Sequence, residues 1–300
     1  MIDEKFFEEL KQTLKDFESP ITNLKKINFN LNEKNHFFYV VDGGSSILME
    51  SSSFSVGIYR AGYMAFQNGT MVKKVVTNTE YAILKESSNE ILSPEKQLEI
   101  LRKELEKNII VDCINTINSI RTSETPERLK LIIVDGEIPL DAHLLKLVIE
   151  NKIIFVGVVK RCGLKHGLIT LQKKLQRETK NEKHARPWYY ILYDKYDDFK
   201  TRLMVKFHPL TDFVFRTEIY KPVNFAIEDV LGTIAQYCND PIYIGYPYPL
   251  AMIHNLVAID NMTKETYINK IEEYLLHEGY NLADFNIIFE DFHALLDENI

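Results

Sequence analysis

Asp42 and Asp135 each close an apolar run with an Asp-Gly pair. The first run reads Tyr39-Val40-Val41-Asp42-Gly43-Gly44-Ser45-Ser46 and the second Leu131-Ile132-Ile133-Val134-Asp135-Gly136. Their β-branched and aromatic residues suit buried strands, and glycine lets the chain turn sharply beside whatever each carboxylate holds. Two strand-end aspartates separated by a helix that can supply a third acid make a donor set for a divalent metal and phosphoryl chemistry. A single strand-end Asp-Gly reads as only a turn. Its repetition in one chain favours the metal reading.

The intervening helix opens at Ser93-Pro94-Glu95, an N-cap, a proline at the first helical position and an acid in the first turn. Leu98, Leu101, Leu105, Ile109, Cys113, Ile117 and Ile120 then recur at three and four, which predicts a core-facing stripe. Glu106 lies along that stripe, with Ile109, Ile110 and Cys113 three, four and seven residues on. An acid on the buried side needs a partner or a metal. The competing reading is a glutamate whose stem covers apolar surface, and Glu99 and Glu104 share the helix.

Basic and aromatic groups follow. Lys160 ends the apolar run Lys152 to Val159, and Arg161, Lys173, Lys174 and Arg177 continue a positive segment to Arg186. Phosphate contact and a solvated helix face both account for such a run. In Tyr246-Pro247-Tyr248-Pro249-Leu250, the prolines allow a helix to begin at Pro249, which puts His254 in its second turn. Hydroxyls and an imidazole thus gather near a helix N-terminus, itself attractive to anions. A lone histidine also reads as a structural one.

The elements that must position these groups come in a definite order. It runs strand, strand, strand, helix, strand, helix, strand, with Asn68-Gly69 as a hairpin turn between the second strand and the Met71 to Leu84 run. That order predicts an α/β fold with a ribonuclease H-like mixed sheet flanked by helices. The first and fourth strands become neighbours, and Asp42 and Asp135 lie side by side at their carboxyl ends. Additional C-terminal strands (188–193, 201–207, 213–220) and helices (224–238, 265–277) follow. An amphipathic helix over 3–17 belongs to an N-terminal extension, 1–30, ahead of one nuclease-like domain, 31–300. The apolar, acidic tail from Ala283 to Ile300 is suited to docking on the body or on another chain.

Composition bounds the rest. The 300 residues are 45% hydrophobic and 26% charged, ordinary for a globular protein. No run approaches the roughly 18 apolar residues of a membrane span, and the acidic start Met1-Ile2-Asp3-Glu4-Lys5 is no signal peptide, so a cytoplasmic protein is expected. Cys113, Cys162 and Cys238 are far apart and form no CxxC, which indicates buried thiols rather than zinc or disulfides. A net charge of −7 confines any polyanion site to a local patch.

Together, Val41-Asp42-Gly43-Gly44-Ser45, the Arg102 to Glu106 segment, Val134-Asp135-Gly136 and Tyr246-Pro247-Tyr248-Pro249-Leu250 with His254 resemble the NurA nuclease family, over about residues 35 to 260. The resemblance implies a manganese- or magnesium-dependent DNA nuclease of ribonuclease H-like fold. By it, Asp42, Glu106 and Asp135 hold the metal, and Tyr246 and His254 complete the active site. It further implies a 5′-to-3′ exonuclease, with single-strand endonuclease activity, acting as a homodimer with a HerA-like hexameric ATPase in the resection of DNA double-strand breaks. The family's Asp-Gly-Ser is here Asp-Gly-Gly at Asp42 and Asp-Gly-Glu at Asp135. Two other classes stay open. An actin-like or sugar-kinase ATPase shares the topology and has a first phosphate loop like Asp42 to Ser46, although Asp135-Gly136-Glu137-Ile138 lacks the small hydroxyl residues of a second. A catalytically idle binding subunit is the other.

Overall fold

The computed structural model describes residues 4–18, 21, 25–32, 35–51, 53–85, 92–119, 129–139, 141–163, 165–166, 169–180, 186–192, 200–222 and 224–289. In chain order these form α1 (Glu4–Glu18), β1 (Ile27–Asn28), β2 (His36–Glu50), β3 (Phe54–Gln67), β4 (Thr70–Val76), β5 (Glu80–Lys85) and α2 (Pro94–Ser119). There follow β6 (Leu129–Asp135), α3 (Ala142–Glu150), β7 (Ile154–Val159), β8 (Lys165–His166), β9 (Ile169–Thr170) and α4 (Leu171–Lys180). The chain continues through β10 (Trp188–Leu192), β11 (Lys200–Lys206), β12 (Phe215–Tyr220), α5 (Ile227–Ala235), α6 (Tyr248–Val257), α7 (Asn261–His277) and α8 (Leu282–Phe289). Among the described residues, no helix is long and apolar enough to cross a membrane.

The chain divides into two compact units. One comprises Met1–Val41, Met64–Lys74 and Ile110–Ile253, the other Asp42–Tyr63, Val75–Ile109 and His254–Ile300. In the first, the sheet runs β1-β10-β11-β12-β7-β6-β2. The centre is parallel: His36–Val41 pair with Leu129–Val134, and Leu131–Asp135 with Ile154–Val158. All three segments are nearly continuous runs of aliphatic and aromatic residues, as strands covered on both faces require. β2 and β6, the first and fourth strands of the expected order, are therefore neighbours, as that order predicts. Beyond β7 the pairings turn antiparallel, through β12, β11 and β10. Trp188, Met204, Leu171, Leu175, Cys162 and Val214 form a core beneath α4.

The Asn68-Gly69 turn appears as expected, with φ of 46° and 89°. Both residues are left-handed, the requirement of a type I′ hairpin. Gly69 N donates to Tyr237 Oη at 2.7 Å, and the same hydroxyl lies 2.7 Å from His36 Nε2. A buried tyrosine from α5's far end thus pins the turn to the start of β2.

In the second unit β3 pairs antiparallel with β5. Tyr59, Leu84 and Leu98 form its described core cluster, with Ile47, Ala82 and Leu105 packed against them. The expected single strand from Met71 to Leu84 is two, broken at Thr77-Asn78-Thr79. Leu101 lies in the helical stripe by spacing but is exposed, while Ile110 and Ile114 are buried. The predicted Leu98, Ile109, Cys113 and Ile117 are buried as well, so the buried stripe is wider along the second half of α2 than the spacing suggested. Ile120, Lys183 and the tail beyond 289 fall outside the described residues.

One expectation is corrected outright. The first strand does not end at Asp42, because β2 continues through Gly43 and Gly44 to Glu50. Neither glycine has positive φ. Their lack of a side chain serves close approach instead: a Cβ at Gly43 would lie 2.4 Å from Glu106 Oε1, and one at Gly44 would lie 1.9 Å from Val257 O.

Candidate functional site

Three of the predicted residues meet in the second unit. Asp42 is buried on β2, and its Oδ2 lies 2.9 Å from His254 Nδ1. Its other oxygen, Oδ1, accepts from Gly43 N at 2.8 Å. Both carboxylate oxygens are thus directed by neighbours. His254 is half exposed in the second turn of α6, as Pro249 dictates. An imidazole that is buried and satisfied purely for folding would be shielded on all sides, and this one is not.

Exposure separates the three candidate glutamates of α2. The side chain of Glu104 is 61% exposed beside Lys107 and that of Glu99 is 48% exposed beside Lys103, whereas that of Glu106 is 17% exposed. Glu106 is also the one that faces the Gly43 backbone. Burial pushes its pKa up to about 7, and the charge of Asp42 adds to the rise while Arg102 opposes it. A carboxylate raised by a second carboxylate is the mark of two acids sharing a site. Arg102 is the residue that spacing alone left unassigned. Its Nη1 donates to both Glu106 Oε1 and Gly43 O, so it ties the helix to the strand. An Arg four residues before an acid is the signal that finds it.

Glycine makes this meeting possible. Gly44 is pressed on the C-terminal end of α6, where Arg60 donates from Nε to Val257 O at 3.1 Å and from Nη2 to Ala258 O at 2.6 Å. A cation on the last carbonyls suits the helix dipole. Gly44→Ala is expected to destabilise the protein by about 3 kcal/mol, because the obstacle is backbone and the strand must move. Urea unfolding measures it, and an unchanged midpoint would show that β2 has slack at this level.

The first unit holds Asp135, Lys160 and Tyr246. Asp135 ends β6, and Gly136 (φ 114°) turns the chain there as expected. Lys160 Nζ lies 2.5 Å from Asp135 Oδ2 and 5.3 Å from the Tyr246 ring centroid. Beside Lys160 opens a cavity of about 330 Å³, walled by Phe213, Phe215, Ile242, Tyr243, Ile244 and Tyr246. Val41 and Val134, the residues directly before Asp42 and Asp135, are register partners on β2 and β6.

The basic segment divides. Arg161 and Lys173 are exposed and Arg177 is partly so, but Lys174 is 2% exposed. Lys174 shares the buried face of α4 with Leu171 and Leu175, so its ammonium is not presented at the surface with the others.

No protein-family model matches the sequence, and no curated protein matches it. Solved structures do. The crystal structure of the NurA nuclease from Sulfolobus solfataricus superposes with a TM-score of 0.61 at 14% identity, covering 92% of this chain and 98% of that one. The fold is NurA-like. A second NurA crystal structure matches with a TM-score of 0.54 at 12% identity, over 90% of this chain and 98% of that one. The ribonuclease H-like mixed sheet with flanking helices, expected from the order of elements, is the fold observed.

Proposed function

We propose that the chain is a metal-dependent deoxyribonuclease that hydrolyses phosphodiester bonds. The observation that carries this reading is the meeting of buried Asp42 with Glu106 and His254, two acids close enough that one helps to raise the pKa of the other. Hard carboxylate oxygens fit a divalent cation such as Mn²⁺ or Mg²⁺. By the family resemblance, Asp135 is a further ligand. The bound ion would polarise the scissile phosphate and lower the pKa of an attacking water.

The protein's own groups do the rest. Arg102 holds Glu106 against β2, and His254 orients Asp42 while offering positive charge to a phosphate oxygen. Lys160, standing between Asp135 and the Tyr246 ring, neutralises phosphate charge in the same way. Exposed Phe213, in the cavity wall beside the buried Tyr246, suits stacking on an unpaired base, which tolerates any sequence. Arg161, Lys173 and Arg177 extend the path for the DNA backbone.

The finer reading is a 5′-to-3′ exonuclease, with single-strand endonuclease activity, working as a homodimer with a HerA-like hexameric ATPase in double-strand break resection. Exposed Phe7, Leu10 and Leu14 on one side of α1 support a partner surface on the N-terminal extension. The direct test is digestion of end-labelled DNA with Mn²⁺ or Mg²⁺, where a ladder shortening from the 5′ end is expected. Failure to cut with either ion, together with stabilisation by Mg-ATP, would transfer the chain to the actin-like class.

Salt dependence tests the basic path. Arg161→Glu with Lys173→Glu is expected to flatten the slope of log affinity against log salt by roughly two, about one per lost phosphate contact. Lys174→Glu, by contrast, is expected to unfold the protein, since it reverses a buried charge. An unchanged slope in the double variant would remove this segment from the DNA path.

A further inference from the structure

The turn that follows Asp135 carries a glutamate where the resembled family has a serine, and that glutamate is anchored two strands away. Gly136 N donates to Val158 O at 2.9 Å, which lays the turn across β7. The fit is close, since a Cβ at Gly157 would come within 2.5 Å of Gly136 O. Ile138 packs down on the same glycine and is buried. Glu137 Oε1 then accepts from Arg216 Nη2 on β12, at the position paired with Val159.

Arg216 is itself fixed. Its Nη2 lies 3.8 Å from Glu218 Oε1, and Glu218, 1% exposed, also meets Arg202 Nε at 3.0 Å and Lys200 Nζ at 3.2 Å. Three cations thus surround one buried carboxylate, and the surplus positive charge is directed at Glu137. Glu137 is 69% exposed and contributes little to the core, so stability does not explain its pairing.

We propose that Glu137 is a positioning residue, which through Arg216 and Glu218 holds the turn behind Asp135 and so fixes the direction of that carboxylate toward a divalent cation. The inference rests on the reading of Asp135 as a metal ligand. Groups that orient a ligand typically change metal affinity by about 10–100-fold when removed.

The test is calorimetric titration of the full chain with Mn²⁺, alongside its melting temperature in chelator. Glu137→Ala is expected to weaken Mn²⁺ binding by about 10–100-fold with the metal-free melting temperature unchanged, and Glu137→Gln, which keeps an acceptor, to fall between. Gly157→Ala, which pushes the turn from beneath while leaving the tether, should weaken binding as well. If Asp135→Asn loses Mn²⁺ affinity while Glu137→Ala binds like wild type, the tether is overturned and the metal site stands. A wild type that binds no Mn²⁺ overturns both. A wild type that binds Mn²⁺ without cutting DNA removes the nuclease reading alone, and the affinities still decide the tether.

Discussion

Asp42→Asn and Asp135→Asn are each expected to lower Mn²⁺-dependent DNA cleavage by roughly 10³-fold or more, while metal-free Asp42→Asn melts no earlier than wild type. The two halves of this result have one cause. Asp42 is buried beside Glu106, whose pKa it helps to raise, so removing its charge relieves a repulsion that the folded state otherwise carries. The amide oxygen of asparagine keeps an acceptor for Gly43 N and leaves the shape intact. What it cannot replace is the negative charge that holds a cation. Stabilisation by added Mn²⁺, about 2.7 kcal/mol at a hundred times the dissociation constant, should therefore shrink or vanish in both variants. An ATPase would respond differently, with Mg-ATP stabilising the wild type and Asp42→Asn abolishing the effect. An idle binding subunit would show no metal response in any variant. Variants that unfold without metal would show instead that the carboxylates serve folding.

The sequence carried the strand that leads to each aspartate, the start of α2 and the helix bearing His254, because each is written locally. Apolar runs of Val and Ile, a Ser-Pro-Glu opening and a Pro at a helix start act within a few residues. It misled where tertiary contact decides. Gly43-Gly44 read as a turn, yet β2 runs straight through it, and the glycines are needed because Glu106 and the end of α6 approach the strand from outside. Lys174 read as a surface cation because the positive run around it is dense, but the apolar face of α4 includes it. Leu101 followed the stripe and is exposed, while Ile110 and Ile114 are buried beside the predicted Ile109 and Cys113. Among Glu99, Glu104 and Glu106, spacing favoured the last. Their exposure and the position of Gly43, with Arg102 bridging helix and strand, separate them physically.

Glu106 makes the metal-free protein sensitive to pH in a direction opposite to that of an ordinary paired carboxylate. Burial, with Asp42 nearby, holds its folded pKa at about 7, against 4.5 for the unconstrained group. A group raised on folding adds its full share of stability below the unfolded value and loses it as pH climbs through the folded one. Between about pH 4.5 and 7 the unfolded chain ionises while the native site stays protonated, and above 7 the loss is complete. The ceiling is about 3 kcal/mol for a shift of this size, in which the opposing effect of Arg102 is already counted. Glu106→Gln should thus be more stable than wild type at pH 8 in chelator, by about 1–3 kcal/mol, and lose that advantage near pH 4.5. Saturating Mn²⁺ should reverse the order at pH 8, because the cation stabilises a native carboxylate that glutamine lacks. Urea midpoints at the two pH values, with and without the ion, measure all four states. A difference that does not move with pH would mean that Glu106 titrates normally and that Asp42 lies too far away to feel it.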